Sequence, residues 1–362
     1  MVGGRSLSRD NKRMNIVSAA SALPPHYYPQ QVLGAALKQY WGDRVENPRM
    51  VELLHANVGV DGRYLSLPME AYPGLTTWGH ANEVWIRTAE ELGNQAICRA
   101  LARAGLSAKD LGAIFFVSIT GVSSPSIDAR LVNRMGLSPN IRRVPIFGLG
   151  CVGGAAGIAR AADYVRAYPD QVAVLLSVEL CSLTWQRDDL SVANLISCAL
   201  FGDGAAAVLV AGSERELPGP RIVDTRSTFY PDTEEVMGWD ISEKGFSIVL
   251  SPEVPDVVRQ HLGNDADQFL AEHDLTRADI GCWIVHTGGP KVLEAAEAAL
   301  GLEPKELAVS WDCLRKTGNL SSASVLLVLE EVMTRRRPEP GTWSVLAAMG
   351  PGFCSELILL RW

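Results

Sequence analysis

The sequence predicts a layered α/β fold made of two similar halves. Three runs in the first half, residues 113–119, 172–180 and 205–210, are almost continuously apolar. Such runs are typical of β-strands that are covered on both faces. Helical patterns separate the runs, and strands that alternate with helices indicate a layered α/β core. The second half of the chain repeats this alternation, which favours a duplicated fold.

The first half is expected to span residues 15–215. It opens with a strand at residues 15–23, which Pro24 and Pro25 end. Residues 81–105 form the longest helical pattern, with apolar side chains at helical spacing. Shorter helices are predicted at residues 31–40, 49–56, 128–135 and 194–201. The residues before this half, 1–14, are polar and basic with no apolar run behind them, so a leader is expected and a signal peptide is not.

The second half is expected to span residues 216–362, after a boundary segment at residues 214–220 that combines charges, glycine and proline. Strands are predicted at residues 222–229, 282–285, 344–349 and 354–360. Helices are predicted at residues 255–273, 291–300 and 319–333.

Composition narrows the class of protein. The chain has 362 residues, of which 47% are hydrophobic and 20% charged, so it can bury a large core. The net charge of −8 argues against a general nucleic-acid binder, and no apolar stretch is long enough to span a membrane. The seven cysteines form no C-x-x-C pair, which argues against a zinc site and favours a reducing compartment. We therefore expect a cytoplasmic protein without a metal.

The segment around Cys151 carries the strongest chemical signal. Residues 144–147 are predicted to form a short buried strand, 148–150 a tight turn, and 152–168 a helix that Pro169 ends. The thiol then lies at a helix N-terminus, where the helix dipole favours the thiolate form of a nucleophile.

Two other interpretations of this segment stay open on the residues alone. Gly148, Gly150 and Gly153 match the dinucleotide fingerprint G-x-G-x-x-G, and Glu179 ends a following strand where a ribose-binding carboxylate would be expected. Alternatively Cys151 is a buried, inert cysteine beside a glycine turn, since free cysteines are among the most buried residues.

Two further residues are candidates for the same chemistry. His286 closes a buried strand and precedes Thr-Gly-Gly-Pro, which places an imidazole at a strand end. Asn319 precedes a long apolar helix. It is either an N-cap or an amide that donates a hydrogen bond to a developing oxyanion.

Five segments in order resemble the type III polyketide synthases, chalcone-synthase-like enzymes of the thiolase fold. They are FGLGCVGGA at residues 147–155, ALFGDGAAA at 199–207, VHTGGP at 285–290, GNLSS at 318–322 and GPG at 350–352. The resemblance extends from about residue 17 to residue 362. It implies a thiolase-like αβαβα arrangement and a catalytic triad of Cys151, His286 and Asn319.

The resemblance also implies the residues that contact substrate. Phe201 matches an aromatic gate between the coenzyme A tunnel and an inner cavity. Thr184, Ser321 and the Gly350-Pro351-Gly352 segment match substrate-binding positions. Ile248 replaces a second gate aromatic, and Trp239 lies near a glycine that opens the plant cavity. Arg49 and Arg63 are weak candidates for the coenzyme A phosphates, because residues 46–63 do not align cleanly.

The implied reaction is decarboxylative condensation. An acyl-CoA starter is loaded on Cys151, extended with malonyl-CoA without a cofactor, and cyclised to a pyrone or resorcinol. The sequence is most similar in character to bacterial alkylresorcinol and alkylpyrone synthases, which suggests a fatty acyl starter. Members of this fold pair as homodimers, and residues 120–126 match the segment near the partner's cavity. A ketoacyl-carrier-protein synthase and an NAD-dependent oxidoreductase remain alternatives.

Overall fold

The computed structural model describes residues 14–45 and 48–362. The predicted leader lies outside these residues except for Met14, which begins the first strand. The strands are β1 (Met14–Ala22), β2 (His26–Pro29), β3 (Gly62–Leu65), β4 (Leu111–Val117), β5 (Arg142–Ile146), β6 (Val172–Leu180), β7 (Asp203–Ala211), β8 (Arg221–Phe229), β9 (Met237–Ser242), β10 (Gly245–Leu250), β11 (Ile280–Val285), β12 (Trp343–Gly350) and β13 (Cys354–Arg361). The α-helices are α1 (Gln30–Trp41), α2 (Pro48–Asn57), α3 (Trp78–Ala104), α4 (Ile127–Met135), α5 (Gly153–Ala167), α6 (Val192–Leu200), α7 (Val254–Ala271), α8 (Pro290–Leu300), α9 (Ala308–Thr317) and α10 (Ser324–Arg335).

The strand order shows that the two halves repeat one topology. The first half has the order β1-β7-β6-β4-β5 and the second half the order β8-β13-β12-β11. In each half the first two pairings are antiparallel and the next is parallel. A short antiparallel pairing of Met14 with Ile222 and of Asn15 with Arg221 joins the halves into one nine-stranded sheet. The predicted duplication of the fold is confirmed.

Helices separate the two half-sheets and cover their outer faces. Helices α5 and α10 contact strands of both halves and share one apolar core with them. Helix α3 covers the outer face of the first half, and α7 and α8 cover that of the second. The order helix, sheet, helix, sheet, helix is the predicted αβαβα arrangement. It places the N-termini of the two central helices, α5 and α10, next to each other.

Two predicted elements differ from the structure. Residues 144–147 were expected to be a buried strand, but β5 is an edge strand that pairs only with β4, and Val144 is 37% exposed. The helix expected from residue 319 begins at Ser324 instead. Ser321 has a φ of +46°, which an α-helix cannot contain, so a 3-10 turn (Ser321–Ala323) comes first.

Several elements were missed. The hairpins β2–β3 and β9–β10 and the helix α9 were not predicted, because their short segments lack a continuous apolar run. Within the described residues, no helix is both long and apolar enough to cross a membrane.

Candidate active site

Cys151 lies in a short 3-10 turn (Gly150–Val152) between β5 and α5. This turn needs glycine, because Gly150 has a φ of +50° and a Cβ there would lie 2.7 Å from the ring of Pro351. Gly154 is constrained as well, since its Cβ would lie 2.1 Å from the carbonyl oxygen of Ser322. The two turns therefore approach closely, and Cys151 Sγ lies 3.9 Å from Ser321 Oγ.

The environment of Cys151 does not favour the thiolate in the resting protein. Burial raises the pKa of the thiol to about 12, although the hydrogen bond with Ser321 lowers it. Desolvation of this side chain, which is 6% exposed, acts against the effect expected of the helix terminus, and stabilisation of the thiolate by that terminus stays a prediction. A base is needed to remove the proton.

His286 can act as that base. Its ring is 5% exposed, and neither ring nitrogen has a hydrogen-bond partner among the described residues. Burial lowers the pKa of the imidazole to about 4, so the ring is neutral at pH 7. A neutral imidazole has one donor and one acceptor nitrogen. The backbone N–H of His286 donates to Ala347 O at 3.0 Å, which extends the pairing of β11 with β12 and fixes the residue at the strand end.

Asn319 is held by its side-chain oxygen. Oδ1 accepts hydrogen bonds from Ser321 N at 2.8 Å and Ser324 Oγ at 3.2 Å. The N-cap interpretation is wrong, because the N-cap of the 3-10 turn is Leu320 and that of α10 is Ala323. Because Oδ1 is occupied in this way, the donor Nδ2 points to the other side, where Gly288 O lies 3.4 Å away.

Cys151, His286 and Asn319 line one cavity of about 570 Å³. The three residues come from different segments of the chain, and the fold brings them together at the adjacent ends of α5, β11 and the turn before α10. Most of the wall is apolar, and Lys291 is the only one of the described lining residues with a permanent charge. Such a cavity can bury an acyl chain beside the thiol.

Phe201 separates this cavity from a second one of about 140 Å³ and lines both. Its backbone forms a parallel bridge with Asn319, and Gly202 N donates to Asn319 O at 2.9 Å. The same pairing therefore fixes the backbone positions of Phe201 and Asn319 relative to each other. Thr184, Ile248 and Trp239 lie in the wall of the second cavity, on the far side of Phe201.

The remaining predicted substrate-binding residues are not in the walls of either cavity. Ser321 contacts Cys151 Sγ but does not line the cavity that Cys151 lines. Gly350 and Pro351 pack against the Cys151 turn, where a Cβ on Gly350 would lie 2.6 Å from Val152 N. Gly352 follows them with a φ of +69°. These residues support the thiol, and their neighbours Met349 and Phe353 line the large cavity instead.

A buried carboxylate lies behind Cys151. Glu179 in β6 is 0% exposed and accepts hydrogen bonds from Ile119 N at 3.1 Å and Thr120 Oγ1 at 2.9 Å. It also accepts from Ser322, in the turn that follows Asn319. Glu179 therefore cannot hold a ribose, as the dinucleotide fingerprint would require. The sequence feature that could have indicated a buried carboxylate is a single acidic residue, Glu179, in an otherwise apolar run.

We expect Glu179 to make the stability depend on pH. Burial raises its pKa to about 7, from an ordinary value of 4.5. Its contribution to the free energy of unfolding is present below pH 4.5 and is lost as the pH rises through 7, a loss of roughly 3 kcal/mol. Glu179→Gln cannot ionise and should flatten this part of the profile. Urea unfolding between pH 4.5 and 8 measures it, and parallel curves for the two proteins would contradict the expectation.

Two polar side chains in the second cavity were missed or misplaced by the sequence analysis. Arg63 was a candidate for the coenzyme A phosphates, but it is 4% exposed and lies behind Phe201. Trp185 gave no signal, since nothing in the sequence distinguishes a cavity tryptophan from a core one. Among the described residues, no group of three or more His, Cys, Asp or Glu side chains is placed to hold a metal ion.

Comparison with known proteins agrees with this geometry. The family model of the chalcone and stilbene synthases, N-terminal domain, matches residues 14–214, and that of the C-terminal domain matches residues 221–362. The chain is 51% identical to a 1,3,6,8-tetrahydroxynaphthalene synthase of Streptomyces peucetius subsp. caesius over 351 residues, which cover 96% of this chain and 93% of that protein. It is 31% identical to a phloroglucinol synthase of Pseudomonas fluorescens, with 94% and 98% covered.

A solved structure gives the same result. The crystal structure of the 1,3,6,8-tetrahydroxynaphthalene synthase of Streptomyces coelicolor A3(2), a bacterial type III polyketide synthase, superimposes with a TM-score of 0.91 at 32% identity. The match covers 96% of this chain and 99% of that one. These similarities decide against the two alternatives that the sequence left open, a ketoacyl-carrier-protein synthase and an NAD-dependent oxidoreductase. The chain belongs to the chalcone and stilbene synthase family and is a type III polyketide synthase.

Proposed function

We propose that Cys151, His286 and Asn319 are the catalytic groups of this synthase. The observation that carries the proposal is their convergence on one apolar cavity, with Phe201 between that cavity and a second one. The thiol is the nucleophile, the unpaired imidazole is the base, and the amide Nδ2 is a hydrogen-bond donor.

Loading begins with an acyl-CoA in the large cavity. His286 accepts the proton of Cys151 as the sulfur attacks the thioester carbonyl. The carbon–sulfur bond to coenzyme A breaks, and the proton passes to the coenzyme A thiolate. The products are an acyl thioester on Cys151 and free coenzyme A, and His286 is neutral again.

Extension begins when malonyl-CoA replaces the free coenzyme A. Its carboxylate leaves as carbon dioxide, and the bonding electrons form an enolate at the thioester. The N–H of His286 and Nδ2 of Asn319 donate hydrogen bonds to the enolate oxygen, where the negative charge develops. The enolate carbon then attacks the acyl thioester and displaces the Cys151 thiolate. Each step balances with thioesters and groups of this chain, so the proposed cycle uses no cofactor.

We propose a small starter unit. Two relatives are tetrahydroxynaphthalene synthases, and a ten-carbon skeleton with alternating oxygens corresponds to five two-carbon units, which malonyl-CoA alone can supply. The small second cavity, with Trp239 in its wall, supports this choice. The fatty acyl starter with pyrone or resorcinol closure, suggested by the sequence, stays the alternative.

Incubation with malonyl-CoA alone, and with malonyl-CoA plus octanoyl-CoA, tests both starters by mass spectrometry of the products. Aromatic products from malonyl-CoA alone support the small starter. Alkylated products formed preferentially from octanoyl-CoA would restore the fatty acyl starter, and the absence of any polyketide would contradict the proposed catalytic groups.

Trp239→Ala is expected to enlarge the second cavity and raise the use of octanoyl-CoA relative to malonyl-CoA about tenfold or more, because each added methylene changes the preference by about 1–3 kcal/mol. Trp78→Ala is the matched control. Trp78 and Trp239 both contact the ring of Phe246, at 6.1 and 5.9 Å between centroids, but Trp78 lines neither cavity. A similar shift in both variants would contradict the role of Trp239.

We also propose that the protein is a homodimer that pairs through the region of residues 120–126 and β5. The support is an exposed apolar strip on this edge, where Val122 is 38% and Phe147 51% exposed. Sedimentation equilibrium gives the mass directly. A monomer at micromolar concentration would contradict the proposal.

A further inference from the structure

The second cavity has a buried cation in its wall. The Arg63 side chain, in β3, lines this cavity and is 4% exposed. Nε donates to Gln30 Oε1 at 3.3 Å, and Nη1 donates to the carbonyl oxygen of Phe201 at 2.6 Å. Both acceptors are neutral, so the protein satisfies hydrogen bonds of the guanidinium without neutralising its charge.

No carboxylate of the described residues forms an ion pair with Arg63 within 4 Å. Asp203 is the acid that affects it electrostatically, but Ser66 N and Ser182 N donate to its oxygens at 2.7 and 2.8 Å. Burial lowers the pKa of Arg63 to about 10, which leaves the side chain charged at pH 7. A buried charge without a counterion is costly, and buried charges in proteins are normally paired. This one faces a cavity, where a ligand can supply the anion.

Trp185 lies in the wall of the same cavity, and its side chain has an unused donor. The Nε1–H of Trp185 is buried and has no hydrogen-bond partner among the described residues. Trp185 is fixed by ring contacts with Tyr40 at 4.8 Å and Trp41 at 6.5 Å between centroids. Buried donors are normally satisfied, so this N–H is an independent indication that the cavity receives an acceptor.

We propose that Arg63 and Trp185 form an anion-binding subsite that holds a carboxylate at the free end of the growing polyketide chain. The inference rests on the proposed function, because the chain reaches this cavity only by extending from Cys151 past Phe201. The planar guanidinium matches a carboxylate, and the indole N–H adds one directed hydrogen bond. The ligand class is an acyl chain that was started from a dicarboxylic monothioester. A chain started from a monocarboxylic acid has a neutral end and gains nothing there.

The test compares two starters that share the extender. Malonyl-CoA alone gives chains with a carboxylate end, and butyryl-CoA with malonyl-CoA gives chains with a methyl end. Arg63→Gln is expected to lower kcat/KM for malonyl-started products about 10- to 100-fold more than for butyryl-started products, the range of a charged hydrogen bond. Arg63→Lys should retain part of the preference for the malonyl starter. In Arg63→Gln, shorter products should accumulate from that starter.

Trp185→Phe keeps the ring and removes only the unpaired N–H, so it decides the question even if Arg63→Gln does not fold. We expect a selective loss for the malonyl starter of about 3- to 10-fold. Trp41→Phe is the matched control, because Trp41 belongs to the same aromatic cluster but donates to Arg187 O at 2.9 Å and does not line the cavity. Trp41→Phe should leave the ratio of kcat/KM for the two starters unchanged.

Equal losses for both starters in Arg63→Gln, with no change of the ratio in Trp185→Phe, would show that Arg63 only supports Phe201 and would overturn the subsite. A wild-type protein that extends butyryl-CoA but never starts from malonyl-CoA would also overturn it while leaving the synthase function intact. A wild-type protein that is inactive with every starter would instead overturn the proposed function, and the subsite with it.

Discussion

Cys151→Ala is expected to abolish polyketide formation with every starter, a loss of about a thousandfold or more, because Cys151 is the only cysteine among the described residues that line the large cavity with His286 and Asn319. The acyl thioester should disappear from the intact-protein mass spectrum after incubation with acyl-CoA. The fold should persist, since the change removes one sulfur atom whose hydrogen bond with Ser321 Oγ is long, at 3.9 Å.

Cys313→Ala serves as the control for this experiment. Cys313 is another free, partly buried thiol, but it lies on α9 and lines neither cavity. Its replacement should leave product formation and acylation as in the wild type. Acyl-enzyme that persists in Cys151→Ala, or that disappears in Cys313→Ala, would show that the nucleophile has been assigned wrongly.

His286→Ala is expected to lower the rates of malonyl-CoA decarboxylation and of Cys151 acylation by about 100- to 10,000-fold, because both steps lose their proton acceptor or oxyanion donor. Thermal stability should change little through hydrogen bonding, since neither ring nitrogen is bonded to the protein. Carbon dioxide release and acylation are measured separately, so that loss of one step can be distinguished from loss of both.

His55→Ala is a closely matched control. His55 is also 5% exposed, both of its ring nitrogens are also unpaired among the described residues, and burial also lowers its pKa to about 4. It packs against Gly34 and lines neither cavity. Equal losses of activity in His55→Ala and His286→Ala would mean that burial of an imidazole, rather than its place in the cavity, explains the effect.

Much of the fold follows from local pattern. The continuous apolar runs that become β6 and β7 lie in the middle of the sheet and are buried along their whole length. The strand at residues 144–147 was placed correctly in the chain but not in the sheet, since an apolar segment does not reveal whether it has one strand neighbour or two. The hairpin β9–β10 has only a short apolar run, at residues 248–250, and two of its side chains, Trp239 and Ile248, lie in the wall of the second cavity.

The sequence by itself determined the family and the identities of the three candidate catalytic residues. Cys151, His286 and Asn319 lie in short motifs whose glycines fix the local backbone, and such information is readable along the chain. The pKa values of these groups and the burial of charged side chains were decided only by the tertiary structure. Desolvation raises the pKa of Cys151 and lowers that of His286, and Arg63, a candidate for the coenzyme A phosphates, is buried behind Phe201 without an ion-pair partner among the described residues. These properties depend on how much water each group loses, which residues far apart in the chain control when they pack together.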